Sequence, residues 1–521
     1  MIDVSVRIHD KYSVEFKSGF FLEKEKEEND YSVNTWIFLP YGLNINKETY
    51  PKSHFYRDVK TYVRLFAPIY NLDEIAEKDT LPFQFLQVAC NEWLVNPTEE
   101  NMAELEYQIK MYATIIKSAL RRESERILAL EDEEELNAGI DHYLAKTRVI
   151  MRNYRDLKQW MCKKPQCASS AVYFSFGDEF LSNRIEQKCY ELIFAFEKKK
   201  VGLLDDTKAA LLEMIEKERH YRCKSGFELI EKGEQEKNRN VLHRLRLIRK
   251  YIENPLFLDA DRKEDGLLMR QLSLILGAAV AMIFATILVF SAQLRFANFT
   301  MPFFIALVLS YILKDRVKEI ANYYFSTRLS KKYFDTKTEI SLKKEKIGWI
   351  KESVEFVREE STPVEVIKIR DRSDILESDN RNTAEKIILY RKLLHLNSMA
   401  IEDAVPYDIS GIRDIMRFNF SHFVMKMDNP TSEIHMINQS NEIEKTEVQF
   451  IYYINFIMQL KHNKTVEYKR FRLIMSRNGI EGVEADRLCV HPLEVPRTPN
   501  FVPISLLNSA IWCLFLNTIA Y

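Results

Sequence analysis

The sequence predicts an α+β membrane protein. A central two-helix transmembrane hairpin is flanked by an N-terminal small β-sheet plus helical bundle and by a C-terminal α+β domain with an antiparallel sheet. Three observations carry this prediction. Charge vanishes from residues 271–313 except at Arg295, in a chain that is otherwise 29% charged. Apolar residues alternate in twos near the N-terminus and again through the last third, the period of half-buried strands. Between these regions they recur every three and four residues, the period of amphipathic helices.

The uncharged stretch is the firmest element. "QLSLILGAAVAMIFATILVFSAQL" (271–294) would make ~36 Å of helix and "FANFTMPFFIALVLSYIL" (296–313) ~27 Å at 1.5 Å per residue. A hydrocarbon core is ~30 Å thick, so the sequence predicts two spans, about 272–292 and 297–313. Arg295 falls in the turn between them, at headgroup level. Arg239, Arg244, Arg246, Arg249, Lys250, Arg262, Lys263 and Arg270 precede the hairpin, and Lys314, Arg316, Lys318, Arg328, Lys331 and Lys332 follow it. The positive-inside rule therefore places both large parts, and both termini, in the cytoplasm. With no cleavable leader in "MIDVSVRIHDKYSVEFKSGF", a bacterial inner membrane is the expected location.

Four segments follow from these patterns: a β-rich segment at 1–73, a helical bundle at 74–270, the hairpin at 271–313 and a cytoplasmic α+β domain at 314–521. "IDVSVRIH" and "YSVEFK" read as a β-hairpin and "VNTWIFLP" as a third strand. From Glu74 to Ile252 the helical period dominates. "DADRKED" (259–265) reads as a solvated linker before the membrane. Beyond the hairpin, "KTEISL", "VEFVRE" and "PVEVIKIRD" read as strands and "NTAEKIILYRKLLHLNSMAIEDAV" as a helix. The last part reads as an antiparallel meander with a turn at His462-Asn463-Lys464. The uncharged tail at 504–521 reads as buried or interfacial.

Two groups of residues are candidates for contact. Arg239, Arg244, Arg246, Arg249 and Lys250 form the basic side of "KNRNVLHRLRLIRKYI" and are placed to meet lipid headgroups. The bland alternative pairs them with acidic neighbours in the bundle. Ser273, Gly277, Ala281 and Ala285 recur every four residues, a stripe that lets helices approach closely in lipid, within one chain or between copies in a homo-oligomer.

Chemistry is less legible. The 75 basic and 76 acidic residues balance, which argues against nucleic acid as a partner. Thirteen scattered glycines make no phosphate-cradling loop. Cys162, Cys167, His220 and Cys223 are zinc-type ligands at unsuitable spacing in a helical stretch. No catalytic, cofactor or metal residue is therefore assigned, and no cofactor is required. The expected partners are the lipid bilayer, further copies of the chain and a cytoplasmic protein. The expected function is a membrane-anchored scaffold or sensor. The alternatives are an oligomeric pore or membrane-disrupting effector, and a membrane-tethered enzyme without a recognisable motif.

Overall fold

A computed structural model describes residues 2–163, 168–199, 205–295, 300–330, 334–380, 384–437 and 442–492. It is a mixed α+β structure of antiparallel sheets and helices. The chain opens with β1 (Ile2–Asp10), β2 (Ser13–Phe21) and β3 (Glu28–Leu39), then α1 (Lys52–Asp58) and β4 (Val59–Leu65). The turn at Lys11 and Tyr12 closes the expected β1–β2 hairpin.

Helices follow: α2 (Leu72–Ala76), α3 (Leu81–Val95), α4 (Glu99–Leu128), α5 (Glu133–Cys162), α6 (Ala168–Lys199), α7 (Asp205–Lys224) and α8 (Gln235–Glu253). In α4, Leu105, Ile109, Tyr112, Ile116 and Leu120 are buried along one stripe, as the spacing requires. The acidic run after Leu128 ends that helix and starts the next. The Asp132 side chain accepts a bond from the Glu135 N–H at 3.1 Å, capping α5.

The rest comprises β5 (Asp259–Glu264), α9 (Leu267–Arg295), α10 (Met301–Ser330), β6 (Thr336–Leu342), β7 (Glu345–Val357), α11 (Val364–Arg370), α12 (Asp374–Asn380) and β8 (Lys386–Asn397). Then come α13 (Ser398–Ala404), β9 (Gly411–Asn419), α14 (Ser421–Val424), β10 (Thr431–Ile437), β11 (Ile443–Gln449), β12 (Tyr452–His462), β13 (Thr465–Ser476) and β14 (Gly479–Pro492).

A four-stranded sheet runs β1-β2-β9-β4 and an eight-stranded sheet runs β14-β13-β12-β3-β8-β7-β6-β5. β10 and β11 pair separately. Strands from both ends of the chain interleave: β3 lies between β12 and β8, and β9 between β2 and β4. The boundaries 1–73 and 314–521 thus divide the sequence but not the sheets. The two larger sheets face each other across an aromatic core, with Phe16 and Phe456 rings 5.1 Å apart and Phe55 and Tyr390 5.2 Å apart.

Three local expectations are corrected. Residues 364–370 form α11 rather than a strand. Pro363 precedes the helix, Asp371 ends it in the left-handed region, and Val366 packs beneath it on Trp36 and Phe38. Residues 386–397 form β8 rather than helix, because Ile388, Tyr390, Leu394 and Leu396 alternate into the core between two neighbouring strands. The "DADRKED" segment is the edge strand β5, exposed along its length.

Candidate functional site

The most distinctive feature is the helical pair α9–α10, inserted between two hydrogen-bonded neighbours. β5 leads into α9 and β6 follows α10, and the two strands pair antiparallel, with Glu264 opposite Thr336. The helices therefore project from one edge of the large sheet as a long insertion in a β-hairpin.

α9 is the one described helix long and apolar enough to cross a membrane. Its stretch Leu274–Arg295 is strongly apolar and mostly left uncovered by the rest of the protein. Ile275, Met282, Ile283 and Phe290 are all more than half exposed, with no face of the described residues to cover them. The sequence predicted two spans. α10 contributes the uncharged run Met301–Leu313, ~20 Å of helix, before Lys314. Thr300 precedes the helix, and residues 296–299 of that run lie outside the described residues.

The small-residue stripe is used inside the chain. Ala281 and Ala285 are buried, and the Ser310 hydroxyl donates to the Ala285 carbonyl at 3.1 Å. A Cβ on Gly277 would fall 2.0 Å from Asn322 Oδ1, so the missing side chain lets α10 close on α9. Ser273 belongs to α9. These contacts fix the register: Lys314, Asp315, Arg316, Lys318 and Glu319 lie between Ser310 and Asn322, alongside Gly277–Ala285. α9 is uncharged from Gln271 to Leu294 but α10 only from Met301 to Leu313, so the two are uncharged side by side only in the half toward the tip. Gly277→Leu should push the helices apart at a cost of about 1–3 kcal/mol. Gly277→Ala should cost less, because the Asn322 amide can swing aside. Thermal unfolding of the full chain in detergent ranks the two.

The basic side of α8 divides. Arg244 grips buried Glu179 with two bonds of 2.9 and 2.8 Å, and Arg249 donates to buried Glu253 at 3.0 Å. Arg239, Arg246 and Lys250 are exposed and make no ion pair among the described residues. The helix buries Val241, Ile248 and Ile252, whereas Leu242 is exposed. Cys162 and Cys223 are exposed, Cys167 lies outside the described residues, and no metal-type cluster forms among those described.

At the root of the pair lies a charged cluster that sequence reasoning missed. Lys392 of β8 is buried between Asp414 of β9 and Glu352 of β7, the latter at 3.3 Å. It thereby joins the two facing sheets. The Tyr390 hydroxyl also donates to Glu352, and Arg262 of β5 approaches the same carboxylate at 3.3 Å. Burial opposes the Lys392 charge, but Asp414 and Glu352 outweigh it and hold its pKa above the ordinary lysine value. Burial raises the Asp414 carboxyl despite Lys392. Glu352 stays below the usual range against its burial, because Lys392, Tyr390 and Arg262 stabilise the anion.

The other arm is pinned beside this cluster. Asp335, just before β6, accepts from Lys52 at 2.6 Å, from Tyr56 at 3.0 Å and from the Val354 N–H at 2.9 Å. The Arg262 guanidinium lies 4.6 Å from the Tyr56 ring centre. Both strands that carry the helices are thus tied to the body by buried or half-buried charge. The available signal was the alternation in 388–396, which puts Lys392 on an apolar strand face. The chain matches no protein-family model, no curated protein and no solved structure.

Proposed function

We propose that this chain is a membrane-anchored scaffold or sensor whose folded body sits in the cytoplasm. The helical pair crosses the bilayer as two spans, with Arg295 at the far side and the basic flanks inside. On this reading the charged stretch from Lys314 to Glu319, with Arg316 paired to Glu319 at 2.9 Å, lies at the near headgroups, which leaves the second span short.

The observation that carries this reading is the placement of an uncovered apolar helix pair between neighbouring strands of a charged, well-packed body. Because Arg262 and Asp335 lock both strands to the core, displacement of the helices bears directly on the sheet edge. The pore alternative drew on the small-residue stripe, and α10 of the same chain occupies that stripe.

Native mass in mild detergent tests the reading, comparing the full chain with one whose helix pair is replaced by a turn. The scaffold or sensor reading expects the same assembly state in both. A ring that forms only with the helices present would contradict it and favour the pore.

A further inference from the structure

Between the small sheet and the bundle lies a cavity of about 270 Å³. Its walls come from the ends of β2, β4 and β9, from α4 and from the turn after α8. Arg64, Lys117, Arg121, Arg122 and Arg413 line it, against one carboxylate, Glu253. Glu253 is already shared: Lys117 bonds to it, Arg249 lies at 3.0 Å and Arg64 at 3.7 Å. Among the described residues Arg121 has only Glu125 as an ion-pair partner, at 3.9 Å, and Arg122 donates to the Tyr70 carbonyl. Arg413 makes no ion pair among the described residues and packs 4.7 Å from the Phe66 ring centre. The Ser410 hydroxyl, also on the wall, is buried without a hydrogen-bond partner among the described residues.

We propose that this cavity is a binding site for a small phosphoryl-bearing anion. Folding alone gives no reason to line one cavity with five cations and a single carboxylate, since each half-buried charge costs desolvation and repels the others; Glu125, Asp3, Glu74 and Glu15 act on them only from outside the lining. The like charges act on one another: burial, then Arg64 and Arg121, hold Arg413 down at about 10, with only partial opposition from Asp3 and Glu125. A multiply charged oxyanion reverses this cost. Guanidinium forks match phosphoryl oxygens two bonds at a time, and Ser410 supplies a neutral donor. The volume exceeds that of phosphate, and Leu65, Phe66 and Ile69 offer an apolar wall for an organic portion. The ligand would bear on Glu253 and Leu256, and Phe257 and Leu258 then bond to β4 just before β5 enters the membrane arm. Binding stands on the cavity alone; that the ligand is what the anchored protein senses rests on the reading above.

The cavity also gives a pH dependence. Burial lowers the Lys117 ammonium to about 8 despite Glu253, with Arg249 and Arg184 adding to the depression and Arg64 sharing the same carboxylate. Oxyanion affinity should weaken as pH rises through about 8, where Lys117 loses its charge. Lys117→Arg, whose charge persists, should lose the part of this dependence that belongs to residue 117.

The test uses the full chain in nanodiscs of neutral phosphatidylcholine, titrated calorimetrically with inorganic pyrophosphate. Saturable binding is expected, with Arg413→Gln and Arg121→Gln each weakening it by about tenfold or more. Arg148→Gln, remote from the cavity, should bind as the parent does. Without ligand, Arg413→Gln should unfold at the same or a higher temperature, because it removes a charge that Asp3 and Glu125 compensate only in part; a structural arginine would give the opposite. No binding up to about 10 mM, or undiminished binding by Arg413→Gln, would overturn the proposal. Equal affinity in nanodiscs containing phosphatidylglycerol supports a free soluble ligand. Loss of pyrophosphate binding there would overturn that source in favour of a lipid headgroup.

Discussion

Lys392→Met should destabilise the folded body by about 3–5 kcal/mol, a large share of the ~5–15 kcal/mol that holds a typical protein together. The loss does not come from the missing ammonium itself. It comes from Asp414 and Glu352, which would remain buried and face each other with no cation between them. Adding Asp414→Leu should therefore recover much of the loss, since Glu352 keeps Arg262 and Tyr390. The single variant should also regain stability in acid. Burial already raises the Asp414 carboxyl, and removing Lys392 raises it further. A folded-state pKa above the unfolded value of about 3.9 means that the native state binds the extra proton, so the recovery appears as pH falls through that raised pKa. Urea unfolding followed by tryptophan fluorescence, at neutral pH and near pH 5, measures both effects.

The second large effect concerns the helix pair α9–α10, the anchor in the proposed function. Asp265 and Asp335 lie side by side at its root, joined by a bond from the Asp265 N–H to the Asp335 carbonyl at 3.3 Å. An Asn-Gly turn in place of residues 266–334 would fit this geometry, because such a pair adopts the positive φ angles that a two-residue hairpin requires. The shortened chain should leave the membrane fraction, remain in solution after ultracentrifugation and unfold cooperatively. It should keep the Lys392 dependence, since none of that cluster is deleted. An aggregated product would show that the body needs the helices in order to fold.

Legibility in the sequence followed the range of the interactions. The apolar helix, the bundle and the β1–β2 hairpin rest on local period, and local period was readable. In β8, Lys386–Asn397 also satisfies helical spacing; only its position between β3 and β7 makes it a strand. The interleaving of β3 and β9 with distant strands has no local signal at all. The same holds for both charge clusters. Lys392, Asp414 and Glu352 come from three strands, and the basic cavity draws on residues from Phe21 to Arg413. The α8 arginines were conspicuous in sequence, yet two of them are committed to Glu179 and Glu253. The small-residue stripe was visible too, but which helix it meets depended on the register with α10.

The most direct test of the anchored arrangement is the accessibility of position 295. In a chain with its other cysteines replaced, Arg295→Cys would be treated in intact cells with a membrane-impermeant maleimide, beside a control that keeps only exposed Cys223. The two-span arrangement predicts that the thiol introduced by Arg295→Cys labels from outside and that Cys223 labels only after lysis. Labelling of both only after lysis would contradict it, showing a helix pair that enters the bilayer without crossing.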